Sequence, residues 1–172
     1  NSPLRHNCSG KHTGMLAQAI LYGDPTADYI RPDHPVQRRI LQVFSEMTGV
    51  PVEEIALGTD GCSAPVFAVP LRAAALAFAR LADPSALPEP RRSALKRIFN
   101  AMTAHPDMVA GPHTFDTELM TAGRGSILTK GGAEGYQALA LLPGVSRRVT
   151  GALGIVIKIS DGDLAPRDLQ RG

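Results

Sequence analysis

The chain has 172 residues, of which 44% are hydrophobic and 20% are charged, so its composition excludes a disordered chain and is typical of a globular domain. Its 18 lysine and arginine residues barely exceed its 16 aspartate and glutamate residues, and the net charge is +2. The surplus lies in scattered arginine pairs with few aromatic residues nearby, so we expect no nucleic-acid partner. No stretch reaches the ~20 apolar residues that cross a bilayer, so we expect no membrane partner either.

The two ends of the sequence suggest a longer chain. The first residue is Asn1 and not methionine, and the residues after Pro166 have the composition of a helix that has just begun. The first residues also lack the charged and apolar segments of a signal peptide, so we expect a cytoplasmic protein. We interpret residues 1–172 as a single domain, the central to C-terminal portion of a longer chain and incomplete at both ends.

Hydrophobic periodicity and glycine positions predict the elements of the first part of the chain. In order, these are a helix at 11–22, a helix at about 34–48, a helical turn at 51–54, a strand at 55–57 and a polar, glycine-rich loop at 58–63. Gly23 ends the periodicity of the first helix. We expect the carboxylate of Asp33 to cap the second helix.

The second part of the chain begins with helices and changes to strands after Gly125. The predicted elements are helices at 71–82, about 91–103 and 114–122, then strands at 126–129, 136–142 and 151–159, with a turn at 160–163. The proline-rich residues 84–90 are interpreted as a loop and not as a domain boundary. Helices followed by strands predict an α+β fold, with helices packed on an antiparallel sheet, and not an alternating βαβ fold.

The residues before the first helix carry a dense group of reactive side chains. Cys8, Lys11 and His12 lie within five residues of one another, where the helix N-terminus favours anions and lowers the pKa of a thiol. We therefore expect Cys8 to be a thiolate, the form that binds metal. A phosphate-binding loop is a weaker interpretation, because an upstream glycine is missing and His12 stands where a hydroxyl residue should be.

The second cysteine, Cys62, lies in the polar loop beside Asp60. Two distant cysteines do not form a disulfide framework or a zinc-finger signature, so the residues alone leave two alternatives open. Cys8 and Cys62 are either two unreactive thiols or a metal-binding pair. If they bind metal, His12 or His6 is the expected next ligand, since imidazole commonly joins thiolates on zinc.

A third group of residues lies at the end of a predicted strand. Lys130 follows Thr129 and precedes two glycines, which would let a substrate approach the backbone closely. A strand lysine followed by glycine is also found in β-lactamases and penicillin-binding proteins. The alternative is a surface lysine in a glycine turn.

Taken together, the motifs resemble one known family. The resemblance rests on residues 5–15 (RHNCSGKHTGM), 58–65 (GTDGCSAP), 114–120 (TFDTELM) and 130–135 (KGGAEG). These segments resemble the thermolabile, rhizobial-type L-asparaginases, whose fold is similar to that of serine β-lactamases and penicillin-binding proteins. The resemblance implies a homodimer that hydrolyses L-asparagine to aspartate and ammonia.

The resemblance also implies roles for particular residues. Cys8, Lys11 and Cys62 would bind one zinc ion, while His12 and Asp60 would orient the substrate or support the zinc ligands. A lysine binds metal only as a neutral amine, so burial or the ion must depress the pKa of Lys11.

The implied reaction uses serine and lysine. Lys130 would be the base that activates a serine nucleophile, and that serine would precede Asn1. Ser9 is therefore not the expected nucleophile. Two rival hypotheses remain: a fragment of a penicillin-binding protein or serine glutaminase, and a zinc-stabilised binding module without catalysis.

Overall fold

A computed structural model describes His6 and residues 8–160 of the chain. The described elements are, in chain order, α1 (Ser9–Tyr22), α2 (Pro35–Thr48), a 3₁₀ turn (Val52–Glu54), β1 (Ala56–Thr59), β2 (Pro65–Ala68), α3 (Leu71–Ala82), α4 (Arg91–Ala104), α5 (Pro106–Ala110), α6 (Phe115–Gly123), β3 (Ile127–Gly132), β4 (Tyr136–Leu141) and β5 (Leu153–Lys158). Helices accompany small antiparallel sheets, so the predicted α+β class is confirmed. No helix among these elements is long and apolar enough to cross a membrane.

The chain divides into two compact units, Asn1–Val69 and Pro70–Gly172. The proline-rich residues 84–90 lie within the second unit and connect α3 to α4, as predicted for a loop. The interpretation of the whole chain as a single domain stays a prediction. The predicted turn at 160–163 lies almost wholly outside the described residues.

The first unit contains α1, α2 and the β1–β2 hairpin around a small core. Its buried apolar residues are Met15, Ala19, Val36 and Ala64. Gly23 ends α1 with a left-handed φ of 70°, a conformation that glycine adopts without a steric cost. The strands of the hairpin pair from Ala56 with Ala68 to Thr59 with Pro65.

Arg39 of α2 holds the end of α1. Its guanidinium donates hydrogen bonds to Gln18 and Asp24 and lies 4.3 Å from the centre of the Tyr22 ring. The planar guanidinium group can make these contacts simultaneously, which the point charge of a lysine cannot do.

The expected cap of α2 was wrong. The N-cap is His34, whose ring Nδ1 accepts the Val36 N–H at 3.2 Å, while Asp33 pairs with Arg31 at 3.1 Å. Burial explains the difference: His34 is only 8% exposed, and its Nε2 is 3.0 Å from the Pro25 carbonyl oxygen. This contact fixes the imidazole where the helix begins.

The second unit packs helices on a three-stranded antiparallel sheet of order β3-β4-β5. Ala82, Phe99, Met120, Leu128 and Ala140 form its buried core. The alanine-rich α3 approaches β5 so closely that a Cβ atom on Gly154 would lie 1.8 Å from the carbonyl oxygen of Ala75. Small residues on both elements allow this approach, which supports the sheet that carries Lys130.

Candidate metal and active-site residues

The first helix brings three predicted site residues to one place. Cys8 is the N-cap of α1, and Lys11 and His12 follow three and four residues later. Because residues at this spacing share one face of a helix, their side chains project in the same direction. His6 anchors the start of the helix, because its carbonyl oxygen accepts hydrogen bonds from both the backbone N–H and the side-chain hydroxyl of Ser9.

The β1–β2 hairpin supplies the other side of this group. Its turn is closed by the Asp60 N–H bonding to Ala64 O at 2.9 Å and the Ser63 N–H bonding to Asp60 O at 2.8 Å. Asp60 Oδ1 also accepts the Gly61 N–H at 2.7 Å, which fixes the carboxylate. The turn thereby presents Asp60 and Cys62 together.

The helix and the hairpin turn form a cluster of potential metal ligands. One ligand atom each from Cys8, Asp60 and Cys62 lies within 4.8 Å of the others. Lys11 joins this group, because its Nζ donates to Asp60 Oδ2 at 2.5 Å. The predicted zinc-site residues of the first unit are therefore brought together, and Asp60 is as central as the three residues predicted as ligands.

The surroundings shift the pKa values of the two thiols in opposite directions. Burial, followed by donation of a hydrogen bond to Cys62, raises the pKa of Cys8, although the nearby Lys11 opposes this. Burial also acts to raise the pKa of Cys62, but polar interactions with His12, the Ala64 backbone and Lys11 outweigh it and lower that pKa to about 7. The expectation that Cys8 is the activated thiol was wrong. Its side chain makes no capping hydrogen bond to the helix N-terminus, and Cys62 has the lower pKa of the two thiols.

Lys11 is a cation in this arrangement. Burial acts to lower its pKa, but the hydrogen bond to Asp60, supported by Cys62, raises the pKa overall. The same contact lowers the pKa of Asp60. Burial alone therefore does not make Lys11 neutral, and a metal that uses its amine must displace a proton.

His12 lies against both the cluster and Tyr29. Its Nδ1 is 2.6 Å from the Tyr29 hydroxyl, and the two rings meet edge to face. Its Nε2 is buried and has no hydrogen-bond partner of normal geometry among the described residues, although His12 contributes to the lowered pKa of Cys62. A buried ring nitrogen facing a thiol is suited to supporting a metal-bound thiolate. Tyr29, which positions His12, has no sequence signature that would have predicted it.

The residues present fit a zinc ion by the chemistry of their donor atoms. Two thiols, one carboxylate and one amine offer the sulfur, oxygen and nitrogen ligands that zinc accepts. His6 makes a different contact, since its Nδ1 accepts the Cys8 N–H at 3.2 Å. The set Cys8, Lys11 and Cys62 stays a prediction, and the ligand distances suggest Cys8, Asp60 and Cys62 as the alternative.

A cavity of about 450 Å³ lies beside the cluster within the first unit. Lys11 and Asp60 form its charged end, and its walls are mostly apolar, with contributions from α1, α2 and β2. A mostly apolar cavity with a few polar groups at one end is typical of small-molecule binding sites.

Lys130 lies in the second unit, near the end of β3. Its side chain is exposed, and its Nζ donates to the Gly131 carbonyl oxygen at 2.5 Å. The predicted strand is confirmed and extends further than expected, through Gly132. The role of Lys130 as a base stays a prediction. Arg5 and Asn7 of the first motif lie outside the described residues.

Comparison with known protein families identifies the class to which the chain belongs. The sequence matches the family described as L-asparaginase II over residues 1–169, and the chain therefore belongs to this family. No individually curated protein matches the chain. Membership points to an amidohydrolase that acts on a small-molecule substrate, which confirms the resemblance at the level of the family.

Proposed function

We propose that the protein hydrolyses the side-chain amide of L-asparagine, releasing aspartate and ammonia. The observation that carries this proposal is the match to the L-asparaginase II family along almost the entire chain. The cavity beside the cluster supports it, since mostly apolar walls with polar groups at one end are typical of a site for a small molecule.

The proposed reaction uses a serine outside this sequence and Lys130 as its base. Neutral Lys130 takes the serine proton while the serine oxygen attacks the amide carbon of asparagine. The C–N bond then breaks, and ammonia leaves with a proton returned by the lysine. Water attacks the resulting ester, releases aspartate and regenerates the serine. The exposed position of Lys130 on β3 is compatible with access to a substrate.

We further propose that Cys8, Lys11 and Cys62 hold one zinc ion, with Asp60 and His12 supporting these ligands. When bound, zinc would supply a fixed positive charge that orients the charged groups of the substrate. His12 would support Cys62 from its buried Nε2 side, held there by Tyr29. The homodimer implied by the resemblance belongs to the same proposal, as does a cytoplasmic location.

The test is ammonia release from L-asparagine by the full-length protein and by its Lys130→Ala variant. We expect the variant to lose turnover while it retains the zinc content of the wild type. Lys158→Ala is the matched control, because Lys158 is another exposed lysine on the same sheet and faces Tyr136 across the β4–β5 ladder. Equal turnover of Lys130→Ala and the wild type would refute the role of Lys130.

One other function has an observation in its favour. The cluster of Cys8, Asp60 and Cys62 would also suit a zinc-stabilised module that binds without catalysis. In that case the wild type would contain zinc but release no ammonia from asparagine or glutamine. Release from glutamine alone would favour the glutaminase-like alternative.

A further inference from the structure

A buried carboxylate in the second unit makes contacts that the proposed reaction does not use. Asp116 lies in the first turn of α6 and is 6% exposed. Its Oδ1 accepts the Thr129 hydroxyl at 2.9 Å and Gln137 Nε2 at 2.6 Å, and its Oδ2 accepts the Gly131 N–H at 2.6 Å. One side chain of the helix thus binds two residues of β3 and one residue of β4.

The two β3 residues that Asp116 binds are the neighbours of Lys130. Because successive residues of a strand point to opposite faces, Thr129 and Gly131 face Asp116 while Lys130 points the other way. The burial agrees with this pattern, since Thr129 is completely buried and Lys130 is exposed. Asp116 therefore fixes the backbone immediately before and after Lys130 from the protein interior.

The lysine itself depends on this part of the backbone. Lys130 Nζ donates to the carbonyl oxygen of Gly131, the same residue whose N–H is held by Asp116. Because the Lys130 side chain is exposed, it does not have the close packing that fixes a buried residue. Its location is set chiefly by the strand, and the strand is set at this point by Asp116.

The partners of Asp116 are also bonded to each other, and the network is tightly packed against Gly131. Gln137 Nε2 donates to Thr129 Oγ1 at 2.5 Å as well as to Asp116, so the amide connects both partners. A Cβ atom on Gly131 would lie 3.2 Å from Asp116 Oδ2 and 3.3 Å from Gln137 Oε1, which is tighter than ordinary contact. A side chain at position 131 would therefore require Asp116 or Gln137 to shift by a few tenths of an ångström.

We propose that Asp116 is a positioning residue for Lys130, acting through Thr129 and Gly131. This inference rests on the proposed function, in which Lys130 is the base. Proton transfer requires the donor and acceptor within hydrogen-bond distance, and displacement by about 1 Å can reduce a rate by about 10²-fold. A shift of β3 would therefore slow the chemical step and leave the binding of asparagine nearly unchanged.

The experiment compares Asp116→Asn with Glu118→Gln in the full-length protein. Both variants replace one carboxylate by an amide in the first turn of α6, but Glu118 is exposed. Asparagine cannot accept the three bonds of Asp116 without turning a donor towards another donor. We expect Asp116→Asn to lower kcat by about 10²-fold with KM within about threefold, and Glu118→Gln to change neither. Hydrogen exchange of the β3 amides should be faster in Asp116→Asn alone.

A second pair of variants separates positioning from folding. Thr129→Ser keeps the hydroxyl that Asp116 binds, whereas Thr129→Val keeps the shape and removes it. We expect the kcat of Thr129→Ser, measured per folded molecule, to stay within about threefold of the wild type. The kcat of Thr129→Val should be lower by at least about tenfold.

The outcomes distinguish the two hypotheses. Unchanged kcat per folded molecule in both Asp116→Asn and Thr129→Val, with a lower melting temperature, would show a structural role only and refute this inference. Absence of ammonia release from the wild type would instead refute the proposed function.

Discussion

Replacing Gly154 by alanine tests whether the backbone of α3 lies directly against β5. The missing side chain of Gly154 points at α3, and an added Cβ would lie 1.8 Å from Ala75 O and 2.7 Å from Ala79 N. Real Cβ atoms essentially never approach another atom more closely than 3.0 Å. The helix and the strand would have to separate by about 1 Å or more, because the obstructing atoms belong to the backbone and have no other rotamer.

This separation should be costly because it disturbs the core on both sides. Ala140, the ladder partner of Gly154, is completely buried, and Phe78 of α3 packs on the same core. Overpacking typically costs about 1–3 kcal/mol when side chains can adjust. Here the backbone must move, so we expect the free energy of unfolding to fall by about 3 kcal/mol or more. For a protein of 150–250 residues this corresponds to a melting temperature lower by about 6–12 °C.

Thermal and denaturant unfolding, followed by circular dichroism, would measure this effect. Gly151→Ala is the matched control, because a Cβ there meets nothing within 4 Å and Gly151 has no left-handed φ. We expect the control to stay within about 0.5 kcal/mol of the wild type. Equal stability of Gly154→Ala and Gly151→Ala would refute the close contact between α3 and β5.

Three other predictions concern the first unit. Arg39→Lys should lower the free energy of unfolding by about 1–2 kcal/mol, since lysine cannot keep the contacts to Gln18, Asp24 and Tyr22 together. Arg38→Lys is the control and should have little effect, because Arg38 is exposed. Equal denaturation midpoints for the two variants would contradict this prediction. In metal-free protein, iodoacetamide should alkylate Cys62 before Cys8. A pKa of about 7 leaves about half of the Cys62 side chains as thiolate at pH 7. A thiol with the ordinary pKa of 9.0 is only about 1% thiolate at that pH. The rate of Cys62 alkylation should rise with pH and reach a plateau above pH 8. Mass spectrometry of the labelled peptides measures the order of alkylation, and labelling of Cys8 before Cys62 would contradict the prediction. Asp60→Asn should weaken zinc binding by about 10–100-fold if Asp60 supports the ligands, and competition with a chelator would show no change if it does not contribute.

The sequence was most informative where one residue type imposes one local structure. Gly23 ended the first helix where predicted, and the pattern at 71–82 gave the bounds of α3. The three strands after Gly125 were also predicted, with shifts of a few residues at their ends. These elements have a clear hydrophobic period and strong breakers at their boundaries.

The elements that the sequence did not reveal are short. β2 has only four residues, begins at a proline and was not predicted, so residues 58–63 were interpreted as a loop although β1 extends through Thr59. β1 and β2 are strands because they pair with each other, and the sequence of either segment alone does not show this pairing. The five-residue α5 was missed for a similar reason, since it is too short to display a helical period.

Some properties of the site could likewise be predicted from the sequence, and others depend on the folded chain. Motif resemblance selected Cys8, Lys11, Cys62 and Lys130, but it did not indicate which thiol is activated. That property depends on partners that converge only in the folded chain, among them the backbone of Ala64. The network around Asp116 was equally invisible in sequence, because a carboxylate near a helix N-terminus is first expected to be a surface capping residue.

The two candidate sites can be perturbed independently, and this makes the proposed function testable in parts. Every residue of the zinc cluster lies between Cys8 and Cys62, while the network that holds Lys130 lies between Asp116 and Ala138. The hydrogen bonds described for each group join residues within that group's own range. Substitutions at Asp116 or Thr129 should therefore change kcat without changing zinc content. Loss of zinc in Asp116→Asn would mean that the two groups are coupled, and a fall in kcat could then no longer be assigned to Lys130.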